Sequence, residues 1–348
     1  MRTGNAIESP SGLIALSTNV VSWGWAAVLM AVLLGVPQVV TGNLLAIAIS
    51  ILIAVTGAVG LNVLTGSTGL ISLGQSGFLA IGGYACAILI ADLRLPVLLA
   101  LPMAGLITGL ASLLIGVPSL RLKGLYLAIT TLAFALIITH IIIYAEPLTR
   151  GPFGIRIPDV SVLGLRISNP VHYYYVVLGV TVLVTLYTVN LMRSRTGRAW
   201  TAIRDHDIAA RSMGISLVRH KLLAFFISSF IVGIAGALMA LQLRFITADV
   251  FSLVLSIEAL AMILVGGAGS VAGAALGAIF ISFLPELARY VIDGFGAGLG
   301  ISFSTHVFEI RGILTGVIII AMLRIEPDGL MGIWRKARRY WTQWPLSL

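Results

Sequence analysis

The sequence predicts an all-α polytopic membrane protein, and three observations carry that reading. The 348 residues are 59% hydrophobic and only 10% charged, whereas soluble domains sit near roughly 45–50% apolar and 25% charged. A globule of this composition would expose far more apolar surface than water tolerates. The apolar residues also fall into runs of about the 20 residues that a span requires, and arginine and lysine gather in alternate connections between those runs.

About ten membrane segments follow in order: Ser22–Val40, Leu44–Leu64, Gly69–Ala91, Pro96–Pro118, Leu125–Ala145, Tyr173–Met192, Lys221–Gln242, Leu253–Ala268, Val271–Val291 and His306–Arg324. The eighth is too short to cross a bilayer upright, and the third and ninth are rich in glycine. These three are expected to be broken, tilted or re-entrant, which lipid permits only where protein covers the freed backbone. Residues 1–21 and 326–348 form tails around a transmembrane domain over 22–325. The stretch from Met1 to Val20 is mixed and polar and does not read as a cleavable signal. Two connections are long. Residues 146–172 contain Pro147, Pro152, Pro158 and Pro170, so an ordered but non-helical loop is expected there. Residues 193–220 form the other, with charged and apolar residues interleaved.

Charge orients the bundle. Arg2, Arg121–Lys123, 193–221 and the tail from Arg324 hold 15 of the 22 basic residues, and this side nets +10 against zero on the other. Positive connections stay in the cytoplasm, so both termini are expected there. All six tryptophans fall at or beyond that side, while Tyr144 and Tyr173–Tyr175 mark the outer rim. The +9 net charge thus follows membrane orientation, and no nucleic-acid partner is expected.

Catalytic and metal signatures do not emerge. The three lysines follow no Gly-x4-Gly frame, so no phosphate-binding loop is expected. The five histidines are scattered without ligand spacing. Cys86 stands alone and excludes an internal disulfide. Gly267-x-Gly269-x-x-Ala272 matches a dinucleotide fingerprint on paper but lacks the strand and βαβ context that give it meaning.

Other features admit two readings each. Gly269, Gly273 and Gly277 recur every four residues, which would bare one helix face for close packing or line a path; Gly312 and Gly316 repeat the device. Gln75, Ser72 and Ser76 are polar inside a membrane segment, so they serve as interhelical glue or meet a passing solute. His140, near the outer end of the fifth segment, carries the same alternatives. Glu258 is the one carboxylate inside a span and must face protein or water, either bracing a neighbouring turn or lining an outer vestibule. The turns Gly66–Gly69 and Gly266–Gly269 echo one another and hint at a duplicated transporter core. Ala199–Gly214 reads as a short surface helix with Arg204, Asp205, Asp207 and Arg211 charged.

The stretch from Gly60 to Tyr84, GLNVLTGSTGLISLGQSGFLAIGGY, resembles the signature of branched-chain amino acid ABC transporter permeases of the LivM type. Tyr126–Phe134, Leu148–Gly154 and Ser256–Ser270 echo the same family, in order, across Leu44 to Trp334. The resemblance implies a multi-pass protein of the bacterial inner membrane. It implies pairing with a second homologous permease, two cytoplasmic ATPases beneath, and a periplasmic solute-binding protein. ATP-Mg would bind the partner ATPases; no cofactor is expected on this chain, which is not expected to be an enzyme. Such permeases meet the ATPase through a Glu-Ala-Ala-x3-Gly core. Ala209, Ala210 and Gly214 match it, but Ile208 stands in place of the glutamate, with Asp207 one residue early. Arg204, Asp207 and Arg211 are expected to add polar contacts. Branched-chain amino acids are the favoured solutes; urea, short amides and aromatic acids are the family's alternatives. An ion-coupled secondary transporter is the rival from another class.

Overall fold

The computed structural model describes residues 20–299 apart from 41, 121, 123, 163 and 164, then 316, 317, 320, 321, 324, 326 and 329–343. Most of the predicted segment His306–Arg324, with Gly312, lies outside the described residues. Among the described residues the chain is overwhelmingly helical. Six helices are long and apolar enough to cross a membrane, and three more apolar helices are shorter. The protein is a multi-pass membrane protein.

The main helices are α1 (Val20–Val39), α2 (Asn43–Leu61), α3 (Gln75–Ala91), α4 (Val97–Ser119), α5 (Leu125–Tyr144) and α6 (Pro170–Arg193). Two short helices, α7 (Arg195–Asp205) and α8 (Asp207–Ser212), precede α9 (Leu217–Leu243), α10 (Leu253–Gly266), α11 (Val271–Leu299) and α12 (Gly329–Gln343). Helix α9 is the hub, packing on α4, α3 and α2. Lipid supplies little hydrophobic drive for such pairing, so backbones must approach closely. A Cβ on Gly82 would lie 2.2 Å from Gly233 O, and one on Gly236 would lie 2.1 Å from Leu79 O. Helices α10 and α11 meet the same way, with a Cβ on Gly277 falling 1.9 Å from Met262 O.

Three expectations are corrected. Gly269 does not share a helix face with Gly273 and Gly277, because α11 starts only at Val271. It sits in the preceding turn at φ +90°. The 146–172 connection is partly helical: Glu146–Thr149 form one turn, Gly151–Phe153 another, and α6 already begins at Pro170. Proline needs no hydrogen-bond donor in a first turn, and Asn169 caps α6 through the Val171 N–H. The stretch Ala199–Gly214 is two helices, broken at His206 by extended backbone (φ −154°, ψ 101°).

The two ends of the bundle segregate. Strand β1 (Ile155–Arg156) pairs antiparallel with β4 (Phe245–Ile246), and β2 (Ser161–Val162) pairs with β3 (Leu165–Arg166). Arg150 binds Asp92 at 2.9 Å at this same end. The opposite end gathers α7, the turns after α2 and α10, and Gly329 at the start of α12.

Candidate functional site

The third predicted segment, expected to be broken, tilted or re-entrant for its glycines, is not helical throughout. After α2 a π-turn runs over Asn62–Gly66. Residues 69–74 then return into the bundle as non-helical chain. The peptide groups this break frees are met by side chains: Thr131 Oγ1 accepts the Leu73 N–H at 2.9 Å, and Ser72 Oγ accepts that of Gly74 at 3.2 Å. Helix α3 therefore starts inside the bundle, at the buried Gln75. Gln75, its first residue, donates from Nε2 to Gly57 O at 3.2 Å. Gly57 lies nine residues before Gly66, roughly 13 Å along the helix at about 1.5 Å per residue, so Gln75 meets α2 well inside the bundle. Ser256 Oγ accepts the Ser76 N–H at 2.8 Å and donates to Ser76 Oγ at 2.9 Å, tying α3 to α10.

Gln75 is 1% exposed, and its Oε1 has no hydrogen-bond partner among the described residues. It lines a cavity of about 240 Å³ between α2, α3, α9 and α10. The other walls are mainly apolar, including Ile53, Leu79, Leu255 and Met262, with Ser50 and Gln242 as further polar residues. An adjoining cavity of about 300 Å³ is lined by Ser50, Glu258, Ser282 and Glu286, so Ser50 borders both. Glu258 is 9% exposed. The structure thus brings Gln75, Ser76 and Glu258 into one region.

His140, grouped with them from the sequence, lies apart from this region. Its Nδ1 is engaged with Leu136 O at 2.9 Å within α5. The ring lies on an exposed face with Ile137, Ile141 and Tyr144. Helix α5 is apolar on every side, so the sequence carried no indication of which face turns inward.

The second group lies at the end of the bundle that holds α7. Ser194 caps α7 by accepting the Gly197 N–H at 3.3 Å. Trp200 is fully buried and donates from Nε1 to His220 O at 2.8 Å, which fixes the helix against α9. Arg204 then points at the chain's own backbone. Its Nη1 donates to Gly66 O at 2.5 Å and to Ala268 O at 3.5 Å. Asn62 Oδ1 accepts the Gly269 N–H at 2.9 Å beside it. The two glycine turns that echo one another in sequence are therefore in contact, and one guanidinium joins them. Arg204, expected to supply a polar contact to the ATPase, makes this contact within the chain while staying exposed.

Helix α8 presents the outward surface. Ala210 is buried and Ala209 exposed, while Ile208 is 77% and Met213 85% exposed. Asp207 and Arg211 line an adjoining groove with Leu120, Ser216, Val218 and Lys221. Gly214 closes the helix at φ +84°. The Ile215 N–H bonds to Ala210 O at 3.1 Å and the Gly214 N–H to Arg211 O at 3.0 Å, a left-handed stop that suits glycine. A Cβ there would meet nothing within 4 Å, so Gly214 serves the turn rather than a close approach within this chain.

Sequence reasoning missed Asn62, Gln242 and Ser256 as parts of these groups. Each is a polar side chain within an apolar run, the same signal that singled out Gln75.

A family described as "Branched-chain amino acid transport system / permease component" matches residues 43–323. The high-affinity branched-chain amino acid transport system permease protein LivM of Salmonella typhimurium is 33% identical over 95% of this chain and 77% of its own length. LivM of Escherichia coli is 32% identical over the same shares. A probable LivM of Methanocaldococcus jannaschii is 28% identical over 67% of this chain and 68% of its own. No solved structure matches. With a matched region running from the start of α2 beyond α11, this multi-pass chain belongs to the branched-chain amino acid transport permease family.

Proposed function

We propose that this chain is the membrane subunit of an ATP-binding-cassette importer that moves branched-chain or related hydrophobic amino acids across the bacterial inner membrane. In this reading it crosses about ten times with both termini in the cytoplasm. It pairs with a second homologous permease subunit, two ATPase subunits and a periplasmic solute-binding protein, and ATP-Mg binds only the ATPases. The chain itself positions and gates, and performs no bond chemistry.

The observation that carries the reading is the Arg204 hydrogen bond to Gly66 O. It links the α7–α8 pair to the turn from which α3 and the Gln75 cavity follow. A partner that grips α8 at Ile208, Asp207, Ala209, Arg211 and Met213 would shift α7 as a body, because Trp200 and Ile203 are buried along its inner face. Arg204 would pass that shift to the floor of the cavity. A transporter driven by its own ion gradient has no need of such an outward helix. Glu258 and Glu286 beside the second cavity are the features that favour the ion-coupled rival.

Copurification tests the reading. Expressed with its candidate ATPases, the chain should retain them through detergent extraction. Ala210→Asp, which places a carboxylate at a buried position, combined with Gly214→Val should release the ATPases while the permease stays inserted. Retention by the double variant at wild-type levels contradicts α8 as the docking element.

A further inference from the structure

We propose that the Gln75 cavity is an intramembrane subsite for a small zwitterion with an apolar side chain, whose amino group donates to Gln75 Oε1. This rests on the importer reading above and names what the path recognises inside the bundle.

The argument starts from an unmade bond. A buried acceptor without a donor is costly, and native interiors rarely leave one. Gln75 could hide the vacancy by turning its amide over, but then Oε1 would face the Gly57 carbonyl 3.2 Å away, oxygen against oxygen. The Gly57 contact therefore fixes Nε2 inward and leaves Oε1 as the open group. It calls for an N–H or O–H from outside the described residues, and a bound solute can supply one.

The neighbouring backbone calls for the opposite charge. Gln75 opens α3, and a helix start carries unbonded N–H groups and a positive partial charge. Ser256 takes the Ser76 N–H and Gly74 O takes that of Phe78. Gln75, the residue that lines the cavity, carries the first of these helix-start N–H groups. An open helix start beside an open acceptor suits a carboxylate and an ammonium on adjacent atoms, as an α-amino acid carries them. Discontinuous membrane helices receive substrate carboxylates in this manner.

The remaining walls select the third group. Ile53, Leu79, Leu255, Ala259 and Met262 surround the cavity and would leave the hydroxyls of a sugar unpaired. At about 240 Å³ the space falls just under that of sites for drug-sized ligands, roughly 300–1,000 Å³. The cavity holding Glu258 and Glu286 borders it at Ser50, and its carboxylates favour a cationic amino group nearby.

The test uses the complete importer in proteoliposomes, with Ala259→Cys as reporter in a Cys86→Ser background. A small cationic methanethiosulfonate should modify Cys at 259, and leucine should slow that reaction at least fivefold. 4-Methylpentanoate, which keeps the tail and carboxylate but lacks the amino group, should slow it less than twofold. Adding Gln75→Met should abolish protection by leucine, and Gln75→Asn should keep part of it, with assembly of each complex checked by gel filtration. Equal protection by the two compounds, or protection that survives Gln75→Met, overturns the subsite, as does occupancy by water alone, seen as no protection at all. Wild-type vesicles that fail to accumulate leucine contradict the importer reading instead, and the reporter still decides whether the cavity takes the amino acid.

Discussion

Replacing Arg204 with methionine separates transmission from docking. Methionine keeps an apolar stem against Gly69, where the Arg204 side chain already lies, and removes every donor. The loss is one strong hydrogen bond to Gly66 O at 2.5 Å and one marginal contact to Ala268 O at 3.5 Å. A hydrogen bond to a charged group contributes about 1.5–3 kcal/mol. Arg204 remains largely exposed, so the lower figure of about 1.5 kcal/mol applies. At about 1.4 kcal/mol per decade, the linked arrangement loses roughly tenfold in population. Measured in proteoliposomes, solute imported per ATP hydrolysed should fall about tenfold while the ATPases stay bound and active. Lysine should restore part of the coupling, since its single ammonium can supply a charged donor but not the planar geometry that places Nη1 between the two carbonyls. Coupling within twofold of wild type in the methionine variant would refute the link, and loss of the ATPases would return Arg204 to the docking surface.

Three further outcomes are expected. Gly277→Val sets a branched carbon against Met262 O, where a Cβ would already be 1.9 Å away. Overpacking of this kind costs typically about 1–3 kcal/mol, and against fixed backbone more, so folded yield in size-exclusion chromatography should collapse. Glu258→Gln should assemble and transport nearly normally if Glu258 only braces the helix, but assemble without transport if its charge meets the solute; a fully active Glu258→Leu contradicts both roles. Single cysteines at Asp159 and Arg338, in a Cys86→Ser background, should react from opposite sides of the membrane, and labelling of both from one side breaks the proposed orientation.

Much of the architecture was legible because lipid imposes strict terms on sequence. A run that must satisfy every backbone group internally reads as a helix, and α2, α4 and α9 stand close to where their apolar runs predicted. The glycine turns were legible as turns. Their contact with one another was not, since it depends on Asn62 and Gly269, residues 207 positions apart. The non-helical stretch before Gln75 was hinted at by glycine, but its tolerance rests on Thr131, 58 positions on. Arg204 read as an outward charge because most loop arginines are, and only the close approach of α7 to the turn after α2 gives it an inward partner. His140 was unreadable for the opposite reason, as α5 is apolar all round and gives no pattern to tell its faces apart.

The account turns on the source of energy, and reconstituted uptake tests it directly. Proteoliposomes holding the permease, its paired subunit, the ATPases and the binding protein would be loaded with ATP and offered radiolabelled leucine with and without ionophores. Accumulation that requires ATP and is unchanged when ionophores collapse the ion gradients is the predicted result. Accumulation that persists without ATP and vanishes with the ionophores would contradict it.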